Sequence, residues 1–479
     1  RNIRSLRKEF RIIIAMFRKI MLTLVVVFAA ATGANSQVVV DFSEEIGPIK
    51  RMNAVNNGPR VAPANQRKGN FEAYKAAAFP YARLHDTPLY TPWTKCVDID
   101  CVFPDFDADE TRAESYDFTL TDKLLAQITA TGTRVFYRLG QSIEHASKKY
   151  EVYPPKDYKK WARICEHIIR HYNEGWADGF HYGIEYWEIW NEPDLGFRSG
   201  RYLKDDSPTW NGSDMEYFRF YDTVSKYLKT CFPGIKVGGP ALCEDDEWAE
   251  RFLSYCSKKK VQLDFFSYHY YSGNIQAFEK KNELIKKLLD RYGYSDVEMI
   301  LDEWNYLSNW TDEYVYTTEV IGSYLGAAFC SAVMQVSQDG PVDMLMYYDA
   351  RPNTSFNGLF DFTTFSTLPS YYSFYAWKRL REMGTQVFSC SGDLDGVYVT
   401  AAKGDNGRMA ILVTHYSDDK NKIAPVSFDI ELKNTEVKEI RSFVTDKYKL
   451  YTETPIEVND GVISMTVSAN SFVLIEIYN

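Results

Sequence analysis

Between residues 50 and 380 one unit recurs about eight times: a short apolar strand ending in polar or charged residues, a loop, then an amphipathic helical stretch. The strands read KRMNAVN at 50–56, YARLHD at 81–86, RVFYRLG at 134–140, EYWEIWNEPD at 185–194, KVGGPAL at 236–242, DFFSYHYY at 264–271, EMILDEWN at 298–305 and DMLMYYDAR at 343–351. Stretches such as KKWARICEHIIRHYN, DMEYFRFYDTVSKYLKTC and ELIKKLLDRYG fall between them, with apolar residues three and four apart. Alternating strand and helix predicts a parallel sheet, because each crossover needs a covering helix. Eight such units predict an α/β fold, a closed (β/α)8 TIM barrel over residues 50–384. No G-x-G-x-x-G marks the open dinucleotide-binding alternative.

From residue 385 the apolar period becomes two, as in GVYVTAAKG, RMAILVTHYS, KEIRSFVT and SFVLIEIYN, with turn-formers such as GDNG and NDG between runs. That pattern predicts an antiparallel β-sandwich over 385–479. The run VVVDFS at 38–43 precedes the barrel, and residues 37–49 are expected to add an edge strand to the sandwich.

Residues 16–36, MFRKIMLTLVVVFAAATGANS, combine a basic start, an apolar stretch of about a dozen residues and a small-x-small ending at Ala34 and Ser36. This reads as a signal peptide, with Arg1–Ala15 as upstream sequence and Met16 as the start. The apolar run is short for a bilayer span. The expected location is secreted or periplasmic, with no membrane contact beyond the signal peptide. Removing 1–36 takes away seven bases and one acid, moving the net charge from −10 to −16. An acidic chain with no basic run after residue 20 argues against nucleic acid or anionic lipid as partner. The aromatic share of 15% suits flat apolar faces for sugar rings.

Export changes the reading of the eight cysteines, since disulfides persist outside the cytosol. Cys96 and Cys101 are the one close pair in a loop-like segment and are placed for a disulfide. No C-x-x-C occurs, and His167 and His171 in HIIRH lack the glutamate of a zinc-protease motif, so no metal is expected. Asp98, Asp100, Asp105, Asp107 and Asp109 gather in the loop after the second strand, where a solvated acidic loop and a calcium site are the two readings. His145, His167, His171, His181 and His415 fall at no strand end and read as surface or packing residues.

Reactive side chains of such a barrel sit at the C-terminal ends of its strands, whose loops share one open rim. Glu192 closes the fourth strand within WNEPD and Glu303 closes the seventh within LDEWN. Two facing carboxyls are what glycosidic cleavage requires: one protonated to serve the leaving oxygen, one ionised to attack the anomeric carbon. Ionised Glu303 is expected to keep Glu192 protonated by like-charge repulsion. Retention of configuration calls for carboxyls about 5–5.5 Å apart. The amide of Asn191 is placed to bond a sugar hydroxyl, and Trp304, Trp310 and Trp190 are candidate ring platforms. Strand alternation points Asp302 away from Glu303, toward a helix or a salt bridge.

YWEIWNEPD, KVGGPA, DFFSYHYY and LDEWN, in that order, resemble glycoside hydrolase family 39, the family of β-xylosidases and α-L-iduronidases, as do FPYARLHD and the C-terminal sandwich. The resemblance implies a retaining hydrolase with Glu192 as acid/base, Glu303 as nucleophile and Asn191 as sugar-binding amide. It also implies that His85, His269 and Tyr271 line the sugar subsite and that no cofactor is required. The chain departs from the family where Asp86, Thr87 and Pro88 follow His85, where Asp302 replaces a common threonine, and where strand eight ends in YYDARPN, so Asp349 and Arg351 could remodel the subsite. The expected enzyme is exo-acting on neutral oligosaccharides and β-xylosidase-like, its partner an oligosaccharide or polysaccharide. The alternatives are an endo-acting glycanase and a barrel that binds carbohydrate without turnover.

Overall fold

A computed structural model describes residues 37–60, 69–196, 205–419, 421 and 424–479, so the signal-peptide reading lies outside the described residues. Strand β1 (Gln37–Pro48) precedes a closed parallel barrel of β2 (Arg51–Asn56), β3 (Tyr81–Arg83), β4 (Arg134–Leu139), β5 (Tyr186–Ile189), β6 (Lys236–Leu242), β7 (Phe265–Tyr271), β8 (Glu298–Asn305) and β9 (Met344–Tyr347). Closure comes from β9 pairing parallel with β2, Tyr347 beside Val55.

The covering helices form because their apolar positions fall on one face and their ends are capped. In Tyr158–Glu174, the Asp157 side chain accepts from the Lys159 and Lys160 amides, and Gly175 at φ 77° turns the chain out in the left-handed region that glycine enters without strain. Its buried face includes Trp161, Ile164, Ile168, Ile169 and Tyr172.

Inside the barrel, side chains stack in layers. Ala54, Tyr81, Phe136, Tyr186, Phe265, Ile300, Met344 and Met346 make an apolar floor. Two residues further along the strands, that floor gives way to buried Arg83, Glu188 and Asp302, because period two keeps these positions facing inward.

The second unit is a nine-stranded sheet of β10 (Thr385–Cys390), β11 (Val397–Lys403), β12 (Arg408–His415), β13 (Val426–Lys433), β14 (Glu439–Thr445), β15 (Thr452–Thr454), β16 (Val462–Val467) and β17 (Ser471–Tyr478) together with β1. It encloses an aliphatic core that includes Val38, Val40, Val387, Ile411, Ile430, Ile463 and Ile475. Contrary to expectation, β1 is not an edge strand. It runs antiparallel to β10 and parallel to β13, so both its backbone sides are paired and the edges fall to β15 and β16.

The sheet's other face packs Ala402, Ala410, Leu412, Phe472 and Leu474 into the same apolar cluster as the barrel helices. Gln335 Nε2 donates to Leu412 O at 2.8 Å, and Arg379 Nε lies 2.5 Å from Glu476 Oε1. Near the rim, Tyr416 Oη donates to Gly273 O and Tyr306 Oη to Asp418 Oδ1, each at 2.7 Å. The expected Cys96–Cys101 disulfide does not form: all eight cysteines are free, and the buried Cys96 thiol donates to Thr87 O at 3.1 Å.

Candidate active site

Two backbone irregularities decide which side chains enter the barrel mouth. After β5 ends at Ile189, Trp190 (φ 76°) and Glu192 (φ 48°) both take left-handed conformations that cost a non-glycine residue about 1–3 kcal/mol. Bonds from Trp190 N to Leu139 O, Glu192 N to Ala241 O and Thr209 Oγ1 to Glu192 O hold them. The turn sends Trp190 outward, where it packs on Trp161, Trp210 and Phe220 and donates to Thr209 O, so it is no ring platform. Glu192 turns inward.

The second irregularity is a β-bulge in β8. Leu301 pairs with Tyr268 and Glu303 with the next residue, His269, which leaves Asp302 as the extra residue. A bulge cancels strict alternation locally, so Asp302 and Glu303 both face the barrel interior. Asp302 does form the expected salt bridge, with Arg83, but inside the barrel rather than away from Glu303. Trp304 then points out into the helix layer, fully buried among Phe278, Phe329, Tyr347 and Phe374, and is a core residue instead of the expected sugar platform.

Glu192, Glu303 and His269 converge at the mouth, one carboxylate oxygen or ring nitrogen of each within 4.8 Å of the others. One carboxylate oxygen of Glu192 thus lies within 4.8 Å of one of Glu303, where retaining glycosidases hold their two carboxyl groups about 5–5.5 Å apart and inverting ones roughly 6.5–9.5 Å. Among the described residues no other set of three histidine, cysteine or acidic side chains converges this closely. Here the contacts are proton-sharing ones: His269 Nδ1 is 2.7 Å from Glu192 Oε1, while Tyr271 Oη donates to Glu303 Oε1 at 2.6 Å.

Arg83 lies beneath. Its Nη1 donates to Glu303 Oε2 at 3.2 Å, its Nη2 to Asn191 Oδ1 at 2.6 Å, and its Nε to Glu188 Oε2 at 2.7 Å, with Asp302 Oδ2 2.8 Å away. With Asn191 Oδ1 engaged, its Nδ2 has no protein partner. His85 is buried with both ring nitrogens unbonded, Asp86 Oδ1 being 3.5 Å from Nε2. Trp310 is 55% exposed and meets Tyr271 and Phe356 edge-on or tilted, each at 5.6 Å. Sequence reasoning therefore brings Glu192, Glu303, Asn191, His85, His269, Tyr271 and Trp310 to one mouth. It misses the charged layer of Arg83, Glu188 and Asp302, although Arg83 and Glu188 each stand two residues after an inward aromatic, Tyr81 and Tyr186.

Burial pushes Glu303 up to about 7, with His269 and Arg83 opposing the rise and the Glu192 charge adding to it, so the like-charge repulsion expected to act on Glu192 acts here on Glu303. Burial would lower His269, yet the carboxylates of Glu303 and Asp302 hold it well above the usual imidazole range. Burial likewise raises Glu188, to about 8, against the pull of Arg83. Asp302 resists its own burial because Arg83 and His269 keep it below the usual range. His85 is held neutral by burial and by the guanidinium groups of Arg83 and Arg138.

In the acidic loop, Asp98 is bound by Arg138, Lys95 and the Ser142 amide, and Asp105 and Asp109 accept from backbone amides two residues on. His171 packs face to face on Phe118, 3.6 Å between ring centroids.

The model of the Glycosyl hydrolases family 39 matches residues 97–328. A curated β-xylosidase of Geobacillus stearothermophilus is 24% identical over 375 residues, 68% of this chain and 69% of that protein. Among solved structures, a glucosidase from Croceicoccus marinus superposes with a TM-score of 0.75 at 20% identity, covering 94% of this chain and all of the other. A monomeric β-xylosidase from Caulobacter crescentus CB15 gives 0.68 at 18% identity, covering 93% and 99%.

Proposed function

The family 39 match makes this chain a glycoside hydrolase, and from that premise we propose that it is an exported, exo-acting β-xylosidase that works by double displacement. What carries the reading is the convergence of Glu192 and Glu303 within 4.8 Å at the barrel mouth. In the first step Glu303 attacks the anomeric carbon while Glu192 gives its proton to the leaving oxygen. In the second, Glu192 takes a proton from water as the water oxygen displaces Glu303. Arg83 and Tyr271 each hold one oxygen of Glu303, which supports its role as an oriented nucleophile. The free amide of Asn191 is the donor for a sugar hydroxyl, and Trp310 offers the ring face.

Exo action is supported by the length of the loops 87–115 and 141–156, which are tied to each other where Ser142 bonds Asp98. Export rests on residues 16–36, and the mature protein is expected to begin near Gln37.

The test is hydrolysis of an aryl glycoside panel spanning pentosides, hexosides and uronides, with Glu303→Ala as control. The expected result is turnover of the β-xyloside with retained configuration, release of single sugars from a xylo-oligosaccharide, and a silent variant. Equal turnover by the variant would overturn the catalytic assignment, mixed fragments would overturn exo action, and a wild-type enzyme inert on pentosides would overturn the substrate class.

A further inference from the structure

The bulge in β8 puts a second carboxylate behind the site. Asp302 Oδ2 lies 3.6 Å from His269 Nε2, and Glu303 Oε2 lies 3.7 Å from the same nitrogen. The opposite ring nitrogen, Nδ1, is 2.7 Å from Glu192 Oε1. One imidazole thus connects two acids on one side to the proton-transferring carboxyl on the other. Arg83 of β3, neutral His85 two residues beyond it and Glu188 of β5 face this group, and Arg83 contacts Glu188, Asp302 and Glu303.

Resting on the reading of Glu192 as acid/base and Glu303 as nucleophile, we propose that Asp302 is a positioning residue that keeps His269 an imidazolium in the glycosyl-enzyme, so that Glu192 stays free to deprotonate water.

Before reaction, Glu303 and Asp302 both face Nε2–H, and Nδ1–H is donated to Glu192 Oε1, leaving the other Glu192 oxygen to deliver its proton. When Glu192 has protonated the leaving oxygen and Glu303 has become a neutral ester, one of the two carboxylates facing Nε2 has lost its charge. The His269–Glu192 pair now holds a single proton between Nδ1 and Oε1. If that proton moves to Glu192, the base is lost. Asp302 remains charged and biases it to the imidazole, and an opposite charge at this range shifts a titration by roughly 1–3 pH units. Water then gives its proton to Glu192 as its oxygen bonds the anomeric carbon and the ester breaks, and both glutamates return to their starting states. The raised imidazole titration in the resting site agrees with this arrangement.

The experiment compares wild type with Asp302→Asn on a 2,4-dinitrophenyl glycoside, whose leaving group needs no proton. Expected are a kcat about tenfold lower or less still, kcat/KM within roughly threefold of wild type, a pre-steady-state burst of phenolate, and rescue of kcat by azide, a nucleophile that needs no base. Equal losses in kcat and kcat/KM, with no burst and no azide effect, would overturn the proposal and leave the glutamate assignments intact. A wild-type enzyme with no turnover would instead sink the underlying reading. Should Asp302→Asn not fold, 15N shifts of His269 in wild type trapped as a 2-fluoroglycosyl-enzyme decide: an imidazolium at pH 7 supports the proposal, and a neutral ring overturns it.

Discussion

The interiors of the two units follow opposite rules. The sandwich core is a cluster of aliphatic and phenyl side chains with Met409, from Val38 to Ile477, and the buried acid of its strands, Glu476, pairs with Arg379 of the barrel. The barrel is apolar only at its floor, and its upper layers hold Arg83, Glu188, Asp302, His269, Glu192 and Glu303, all buried. An interior filled with ionisable groups gains little from the hydrophobic effect and depends on every charge being answered. In the proposed mechanism the barrel accepts that dependence because the reaction needs charges in a water-poor place. The sandwich packs an aliphatic and phenyl cluster on one face and lays its other face on two barrel helices.

The contrast is broken most severely at its reactive end. Glu303→Gln should lower kcat/KM by about 10⁴-fold or more, measured by aryl glycoside kinetics. The same change should raise the melting temperature at pH 8 relative to wild type and much less at pH 5. The sign follows from Glu303 titrating near 7 in the fold and lower when unfolded. The folded state then binds the extra proton between those values, so this group's contribution to stability falls as pH rises through that window. For the same reason kcat/KM of the wild-type enzyme should fall as pH drops below about 7, since Glu303 as the proposed nucleophile must be ionised to attack.

Removing the cation beneath the site tests the claim that the barrel core is held by answered charge. Arg83→Met leaves Glu188 and Asp302 without their guanidinium, and a loss of about 3–5 kcal/mol is expected in denaturant unfolding. Ile411→Ala in the sandwich should cost a similar amount, about 2–5 kcal/mol, for the different reason of a cavity. It should leave kcat and KM of the folded enzyme unchanged.

A finer probe is a pair of tryptophans. Trp304→Ala should destabilise by about 3–5 kcal/mol, because the indole fills the helix layer. Trp310→Ala should leave stability near wild type and raise KM by roughly 2- to 10-fold, the worth of one ring contact.

These residues also show what was legible in the sequence and what was not. Strand order and the charged strand ends locate Glu192 and Glu303, because that reading needs only that both lie at C-terminal ends of parallel strands. Trp304 could have been placed by the same alternation, since the residue after an inward Glu303 faces out. That Asp302 and Glu303 both face inward could not be read in this way, because it depends on one extra residue in β8, which shows only in the pairing with β7. Trp190 depends likewise on a positive φ that no side-chain pattern announces. Cys96 and Cys101 are near in sequence, but the Cys96 thiol is taken up by the Thr87 carbonyl. The edge position expected for β1 failed because both neighbours of this strand, β10 and β13, come from the far end of the chain.

That last arrangement has a consequence for how the molecule is made. Strand β1 finds its two partners only after residues 385–390 and 426–433 have followed it. Val38, Val40 and Phe42 must therefore wait unpaired through synthesis of the whole barrel. Pairing of β1 with β10 and β13 thus closes the sandwich across the whole intervening barrel, like a clasp.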